Sequence, residues 1–273
     1  MAIASKTPLT KTPLTKTPLK GKIVLITGAS AGIGAACAHY FADAGAKLIL
    51  CARRQEKLQT LADELHTEYA ASTLLLPMDV QQSDEVTAMI DGLPSDWQAI
   101  EVLVNNAGLS RGLDNQYEGS LQDWEEMIDT NIKGLLYMTR AIVPGMVKRN
   151  QGHVINLGSI AARDTYKGGS VYCATKAAVK VLSEGLKIDL LGTPVRVTNV
   201  EPGLVETEFS EVRFRGDRDR AKTVYSGMNA LTPNDIADAV LYAATRPPHV
   251  NISELFLIPT DQSSSTLIHR RPT

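Results

Sequence analysis

The sequence predicts an α/β fold: a single doubly wound domain in which a parallel, seven-stranded sheet carries helices on both faces. Short apolar runs alternate with amphipathic stretches along residues 22–260. Several of these runs are apolar almost throughout, which is typical of strands that are buried on both faces. No linker-like stretch divides the region, and 44% of the 273 residues are apolar, enough for a sizeable core. We therefore expect a single domain over residues 21–260.

The strands and helices can be assigned in order along the chain. The predicted strands cover residues 22–27, 46–51, 72–78, 101–106, 153–159, 194–200 and 254–259. The stretches between them carry apolar residues at i, i+3 and i+4, which predicts helices over residues 34–45, 55–69, 83–93, 121–146, 171–192 and 232–246. Thr232 and Pro233 are a typical N-cap and first helical residue for the last helix. Ligands of such sheets bind beyond the carboxyl ends of the strands.

The two ends of the chain differ from this domain. Residues 6–20 repeat every five residues with a proline in each repeat, which disfavours a helix, so residues 1–20 are predicted to be a flexible tail. A transit peptide is the alternative, but such peptides are amphipathic and Arg-rich. Residues 261–273 are polar and are predicted to be a C-terminal tail with no assigned task.

Charge and cysteine content narrow the function classes. The net charge of −2 gives no overall field that would attract nucleic acid. The three cysteines form no CxxC pair and the five histidines do not cluster, so we expect no metal site and a reducing compartment, the cytoplasm. The longest apolar runs are shorter than the ~18 residues of a membrane span, so no membrane association is expected.

Three glycines follow the first strand in "TGASAGIGAA" (residues 27–36). Gly28, Gly32 and Gly34 permit positive φ and a close approach of another molecule, and a helix that begins near Ala31 would direct its free N–H groups at a phosphate. No Gly-Lys-Ser/Thr follows, which argues against a P-loop. A tight turn with close packing remains the alternative for this stretch alone.

The end of the second predicted strand indicates which dinucleotide would bind. Ala52 lies where an NAD site places an acidic residue, and Arg53 and Arg54 follow it. A guanidinium can bind the additional 2′-phosphate of NADP through two charge-assisted hydrogen bonds. The alternative is a solvated helix start, although positive charge has the wrong sign for a helix N-terminus unless an anion lies nearby.

Tyr172 and Lys176 are four residues apart, so on a helix they share a face. An ammonium at ~4 Å would favour the phenolate and lower the tyrosine pKa by about three units, into the working range of a general acid/base. Taken alone, the pair is better explained as part of an ordinary helix surface.

The combination of motifs resembles the short-chain dehydrogenase/reductase family over about residues 20–260. The motifs are "TGASAGIG", "NNAG" (105–108), Asn131, Ser159, Tyr172-x3-Lys176 and Pro202-Gly203. The resemblance implies a single-domain Rossmann fold in which Tyr172 is the acid/base, Lys176 lowers its pKa and Ser159 hydrogen-bonds the reacting oxygen. It also implies that Asn131 supports a proton relay.

The same resemblance implies an NADP site that needs no metal. Its cofactor-binding residues would be Gly28, Ser30, Gly32, Ile33, Gly34, Arg53, Arg54, Asp79, Val80, Asn105, Ala107, Gly108, Tyr172, Lys176, Pro202, Gly203, Val205 and Thr207.

Residues 201–225, the lid segment, lie where this family commonly builds its substrate lid. This segment, together with residues 159–176 and 231–260, resembles the sequences of the NADP-dependent 3-hydroxy acid dehydrogenase subgroup. This similarity implies oxidation of small 3-hydroxy acids of the serine, allo-threonine and 3-hydroxyisobutyrate type, or reduction of the matching carbonyl compounds. Substrate contacts are assigned to Ser159 and to a cation for the carboxylate, first Arg213 and second Arg163, although either arginine also fits a surface charge.

Two other functions remain open. One is a broad carbonyl or 3-oxoacyl reductase, which bulky apolar ketones would distinguish. The other is a non-catalytic nucleotide-sensing protein, against which the presence of Tyr172 and Lys176 argues. The resemblance further implies a homotetramer in which the helices that contain residues 123–145 and 172–191 pair with their symmetry mates.

Overall fold

The computed structural model describes residues 17–272. Within them, seven parallel strands form one sheet in the order β3-β2-β1-β4-β5-β6-β7. The strands are β1 Ile23–Thr27, β2 Lys47–Ala52, β3 Thr73–Pro77, β4 Ile100–Asn105, β5 His153–Leu157, β6 Arg196–Pro202 and β7 Glu254–Leu257. The strand order reverses direction between β1 and β4, which opens a crevice at their carboxyl ends. The predicted Rossmann fold is confirmed.

Helices cover both faces of this sheet. They are α1 Gly32–Asp43, α2 Gln55–Tyr69, α3 Ser83–Asp91, α4 Leu121–Ile128, α5 Leu135–Lys148, α6 Ser170–Asp189, α7 Phe209–Arg213, α8 Arg218–Thr223 and α9 Pro233–Ala244. Side chains of β1 alternate between two apolar clusters: Val24 and Ile26 pack in the cluster that contains α1 and α9 residues, and Leu25 in the one that contains α3 and α5 residues. The alternation explains why β1 is apolar throughout.

Two features differ from the sequence prediction. The helix predicted over residues 121–146 is α4 and α5 joined by a π-helical turn, Asp129–Gly134, and the lid segment contains the short helices α7 and α8. A π turn widens a helix by local hydrogen bonding that apolar periodicity does not record, and such turns are frequent at functional sites. Asn131 lies within this turn.

The ends of the domain also lie elsewhere than predicted. Of the predicted tail 1–20, residues 1–16 lie outside the described residues, while Leu19 is buried and its N–H donates to Ala44 O. The C-terminal segment (residues 261–272), predicted as a tail, is attached to the domain: Gln262 is buried and Arg271 N–H donates to Gly227 O. None of the helices in residues 17–272 has the length and apolar character needed to cross a bilayer.

Candidate active site

One cavity of about 620 Å³ lies at the carboxyl ends of the strands. It extends from the glycine turn and the end of β2, past the end of β4, to α6 and the lid segment. Most of the predicted cofactor residues line it, namely Gly28, Ser30, Gly32, Ile33, Arg53, Arg54, Asp79, Val80, Ala107, Gly108, Tyr172, Lys176, Pro202, Gly203, Val205 and Thr207. Gly34, Asn105 and Asn131 are not among the lining residues.

The glycine turn has the geometry that its sequence predicts. Gly28 and Gly32 have φ of +65° and +55°, in the region that favours glycine. Gly34 serves packing, because a Cβ there would lie 2.4 Å from Gly28 O. Ala31 precedes α1 without a side-chain cap, so first-turn N–H groups of α1 remain available beside the cavity. A phosphate group fits this turn.

The end of β4 supports the glycine turn from the other side. Asn106, which the sequence analysis did not select, lines the cavity and donates from Nδ2 to Thr27 O at 2.9 Å and to Gly28 O at 3.2 Å. Thr27 Oγ1 accepts in return from the N–H groups of Asn106 and Ala107. Asn105 faces the interior and donates to Asn156 Oδ1 at 2.9 Å, so its place in the predicted cofactor set is corrected to a supporting one. Side chains of consecutive residues in extended chain point to opposite sides, which explains why Asn106, directly after β4, faces the cavity while Asn105 does not.

Arg53 and Arg54 both line the end of the cavity beside Ala52. Arg54 donates to Ser30 Oγ at 3.2 Å and 3.0 Å and pairs with Glu208 at 3.0 Å. Arg53 lies 3.7 Å from a carboxylate oxygen of Asp79. The Arg54 guanidinium is therefore next to the glycine turn and the Arg53 guanidinium lies beside Asp79, after β3; both line the cavity and can meet a phosphate that enters this end of it.

Ser159 and Tyr172 lie at the opposite end of the cavity. Ser159 begins a short 3-10 turn, and its Oγ accepts from Ala161 N–H at 3.1 Å, which leaves the hydroxyl proton free to be donated. Tyr172, in α6, is buried, and the nearby Ser159 hydroxyl favours its phenolate. Burial outweighs this effect and raises the pKa of Tyr172 above its usual value.

Lys176 lies one helical turn beyond Tyr172 and is buried beside it. Its Nζ is 6.0 Å from the centre of the Tyr172 ring and donates to Leu157 O at 2.7 Å. Burial lowers the pKa of Lys176 to about 8. Arg213 is a cation that lowers the pKa of Tyr172 in this structure, and the lowering by Lys176 stays a prediction.

Asn131 supports the site from the π-helical turn. Its Oδ1 accepts from Leu109 N–H at 2.8 Å, and its Nδ2 donates to Leu109 O and to Thr175 Oγ1. A Cβ on Gly108 would lie 3.3 Å from Asn131 Oδ1 and 3.4 Å from Lys176 Nζ. The π turn thus places Asn131 beside Lys176 and ties β4 to α6.

Arg213, at the end of α7, lines the cavity beside Tyr172. Its Cζ lies 5.3 Å from the centre of the Tyr172 ring and 5.4 Å from that of Phe209. It donates to Tyr166 Oη at 2.6 Å and to Ser110 Oγ at 2.9 Å. The sequence analysis did not select Phe209, Tyr166 or Ser110 as site residues. Only Tyr166 could have been found from the sequence, because it is an aromatic residue between Ser159 and Tyr172.

Arg163 occupies a different environment. Its guanidinium pairs with the carboxylates of Glu201 and Glu254 and stacks over the ring of Phe256. It is not among the lining residues of the cavity. Its selection as a carboxylate-binding residue is corrected, because the buried carboxylate of Glu201 holds its charge away from the site.

The fold and the cavity define a doubly wound nucleotide-binding domain, and similar proteins make the class specific. The family model for short chain dehydrogenase matches residues 22–217. The NADP-dependent 3-hydroxy acid dehydrogenase YdfG of Escherichia coli K12 is 49% identical over 251 residues, which cover 91% of this chain and all of that protein. The NADP-dependent 3-hydroxy acid dehydrogenase of Schizosaccharomyces pombe is 43% identical over 254 residues, covering 93% of this chain and 98% of that one.

A solved structure gives the same result. The closed form of serine dehydrogenase complexed with NADP+ superimposes with a TM-score of 0.85 at 50% identity, covering 91% of this chain and 100% of that one. This chain belongs to the short-chain dehydrogenase family.

Proposed function

We propose that this protein is an NADP-dependent oxidoreductase that transfers hydride between the β-hydroxyl carbon of small 3-hydroxy acids and the nicotinamide. One arrangement carries the proposal: a single cavity has Arg53 and Arg54 at one end, and Ser159, Tyr172 and Arg213 at the other. The first pair suits a 2′-phosphate, and the second group suits a hydroxyl next to a carboxylate. The 3-hydroxy acid dehydrogenases at 43–51% identity support the same assignment.

The residues present fit NADP. The uncapped first turn of α1 suits the pyrophosphate, and Asp79 and Val80, which also line the cavity, are the proposed adenine contacts. When bound, the nicotinamide supplies the hydride acceptor or donor. The chain itself binds and orients it, with Lys176 and the Pro202–Thr207 stretch at the nicotinamide end of the cavity.

Proton transfer is the task of Tyr172. In oxidation its phenolate accepts the proton of the substrate hydroxyl as hydride leaves carbon, and in reduction the phenol returns that proton. Ser159 donates its hydroxyl proton to the reacting oxygen, where such a preorganised donor contributes up to ~3 kcal/mol in the transition state. Lys176, with its pKa lowered to about 8, can exchange protons near neutral pH, and Asn131 holds the adjoining backbone for a relay.

Arg213 is the proposed ligand of the substrate carboxylate. It lies against Tyr172 and already donates to two neutral oxygens, those of Tyr166 and Ser110. A carboxylate accepts stronger, charge-assisted hydrogen bonds than a hydroxyl does, so it can replace either of them.

A competing function is the reduction of bulky ketones or 3-oxoacyl groups. The apolar side chains of Phe209, Val212 and Phe214, which line the same cavity, favour it.

We further propose that the enzyme is a cytoplasmic homotetramer. Support for a reducing compartment comes from the three cysteines, all of which are free and buried.

The test is an assay of NADPH formation by its near-ultraviolet absorbance. Purified protein is given NADP+ or NAD+ with L-serine, L-allo-threonine, 3-hydroxyisobutyrate, 3-hydroxybutyrate or an uncharged secondary alcohol. We expect NADPH from the small hydroxy acids and little signal with NAD+. Activity on the neutral alcohol alone would reject the acid specificity, and reduction of bulky ketones alone would favour the competing function. No turnover in either direction would reject catalysis.

A further inference from the structure

We propose that the C-terminal segment is a clasp that holds the lid segment over the active site, with Arg270 as its main positioning residue. The proposal deepens the proposed function, on which its kinetic test rests. The C-terminal segment makes three sets of contacts beside the cavity. It also contributes four residues to the cavity lining, namely Gln262, Ser265, Ile268 and Arg270.

The first set of contacts is with the end of the lid segment and with Ser226 and Gly227, which directly follow it. Arg270 donates to Val224 O at 2.9 Å and to Ser226 O at 2.5 Å, and the backbone N–H of Arg271 donates to Gly227 O at 2.7 Å. Val224 is the C-cap of α8, so the guanidinium satisfies carbonyl groups that a helix end leaves free. A positive charge at this end of a helix is also favourable.

The second set of contacts closes the C-terminal segment on itself. Asp261 accepts two hydrogen bonds from Arg271, both of 2.9 Å, and one from Asn229 N–H at 2.9 Å. The Asn229 N–H and the Arg271 guanidinium lower the pKa of the Asp261 carboxyl. Both ends of the segment are thereby fixed beside the chain that leaves the lid segment.

The third set of contacts joins the C-terminal segment to the start of the lid segment and to the chain between Ser159 and Tyr172. Gln262 is buried, and its Oε1 accepts from Leu204 N–H at 2.9 Å, next to Gly203, where a Cβ would lie only 2.3 Å from that oxygen. Ser265 Oγ donates to Asp164 O at 3.1 Å, on the chain between Ser159 and Tyr172. The C-terminal segment therefore anchors the lid segment to the walls that carry the acid/base.

The lid segment transmits this anchoring to Arg213. Tyr225, adjacent to Val224, is hydrogen-bonded to Ser210 at 2.8 Å and donates to Val205 O at 3.0 Å. Ser210 belongs to α7, the helix that ends at Arg213. Fixing Val224 and Ser226 thus fixes the helix that presents Arg213 to Tyr172.

The test compares Arg270→Ala and Arg270→Lys with Arg246→Ala. Arg246 also donates to a helix carbonyl, Tyr242 O at 2.9 Å, but is not among the cavity-lining residues, which makes it a matched control. For Arg270→Ala we expect KM to rise about tenfold for hydroxy acids, since the loss of charge-assisted hydrogen bonds is of that order, and to rise less for the neutral alcohol, which does not use Arg213. The kcat and the dissociation constant of NADPH should change less than about twofold. Arg270→Lys should recover part of the KM, and Arg246→Ala should match the wild type.

Limited proteolysis provides a readout that does not depend on activity. The lid segment offers trypsin several sites between Arg213 and Lys222. Cleavage there should accelerate about tenfold in Arg270→Ala at an unchanged melting temperature, because trypsin samples the locally opened state. Should Arg270→Ala fail to fold, Asp261→Asn, which weakens the pair with Arg271, carries the same expectations.

Other outcomes overturn the clasp. The first is an Arg270→Ala variant with the wild-type KM and the wild-type rate of tryptic cleavage. The second is a KM increase confined to the hydroxy acids at the wild-type cleavage rate, which would make Arg270 a direct carboxylate ligand. Equal losses of NADPH binding and melting temperature would indicate a purely structural role. If the wild type oxidises no substrate, the proposed function fails, while the cleavage comparison still decides the clasp.

Discussion

At the scale of single residues, the phenol of Tyr172 lies between Ser159, Arg213 and Phe209 at the end of the cavity. Tyr172→Phe removes only the transferable proton and keeps the ring. We expect turnover to fall by about a thousandfold, within the range of general acid/base catalysis. The NADPH dissociation constant, measured by fluorescence titration, should stay within about twofold.

Tyr117→Phe is the control for this substitution, since its side chain is 83% exposed and lies outside the cavity. Turnover by Tyr172→Phe at the wild-type rate would remove the phenol from the mechanism.

The position of Arg213 leads to a prediction about pH. The Arg213 guanidinium lowers the pKa of Tyr172 against the raising effect of burial. Arg213→Gln removes a charge that favours the phenolate, so the pKa of Tyr172 rises and the oxidation rate reaches half of its maximum at a higher pH. The measurement is kcat against pH with a saturating neutral alcohol, which avoids any loss of carboxylate binding. An unmoved profile, or one moved to lower pH, would contradict the assignment.

At the scale of secondary-structure elements, the junction of β2 and α2 presents Arg54 to the cavity. Arg54→Gln removes a charged donor, and charge-assisted hydrogen bonds are worth about 1.5–3 kcal/mol. We therefore expect the KM for NADP+ to rise about 10- to 100-fold and that for NAD+ to change less than about twofold. Arg246→Gln, remote from the cavity, should change neither, and equal losses for both cofactors would mean that Arg54 does not contact the 2′-phosphate.

The start of α7 meets the same junction through Glu208. Its carboxylate pairs with Arg54 at 3.0 Å and with Lys57 at 2.7 Å, and these contacts lower its pKa. A 2′-phosphate and the Glu208 carboxylate compete for the same cations and repel each other. Glu208→Gln should therefore tighten NADPH binding about threefold and increase its salt dependence, because the site then carries more net positive charge, as measured by titration at two ionic strengths. Weaker binding would instead assign Glu208 to the cofactor site.

The same elements show what the sequence could and could not predict. Apolar periodicity was sufficient for β1 to β7 and for the long helices, because burial on one or two faces dictates it. It did not register the π turn around Asn131, which depends on hydrogen bonds to Leu109 and Thr175. Arg163 was misassigned for a related reason, since its partners Glu201 and Glu254 come from strands distant in the sequence.

At the scale of the whole molecule, the cavity is built from both ends of the chain. Gly28 lines it from the first strand–helix turn, and Arg270 from the last residues. The polar composition of the C-terminal segment did not indicate that it lines the cavity. Arg270, for example, hydrogen-bonds to backbone carbonyl groups and does not pack in the apolar core. Composition distinguishes polar from apolar surroundings but not solvent from a hydrogen-bonding partner.

The exposed apolar side chains of α4, α5 and α6 lead to the last prediction. Leu121 and Leu136 are 69% and 40% exposed on the first two helices, and Ile188 is 72% exposed on α6. With Ile128 between Leu121 and Leu136, and with Val181 seven residues before Ile188, these exposed side chains form an apolar stripe that a second copy can cover. A glutamate within the stripe would place a charge in the interface, where an unpaired buried charge is strongly unfavourable.

Leu136→Glu should therefore convert the proposed tetramer to dimers or monomers in light scattering coupled to size-exclusion chromatography. Tyr242→Glu is the matched control, because Tyr242 is 49% exposed on α9, outside the stripe, and should leave the mass unchanged. A wild-type mass of one chain would reject the tetramer outright. An unchanged tetramer in Leu136→Glu would place the interface on another face. A tetramer held together through this stripe would have to bury the added carboxylate without a partner, and it would dissociate.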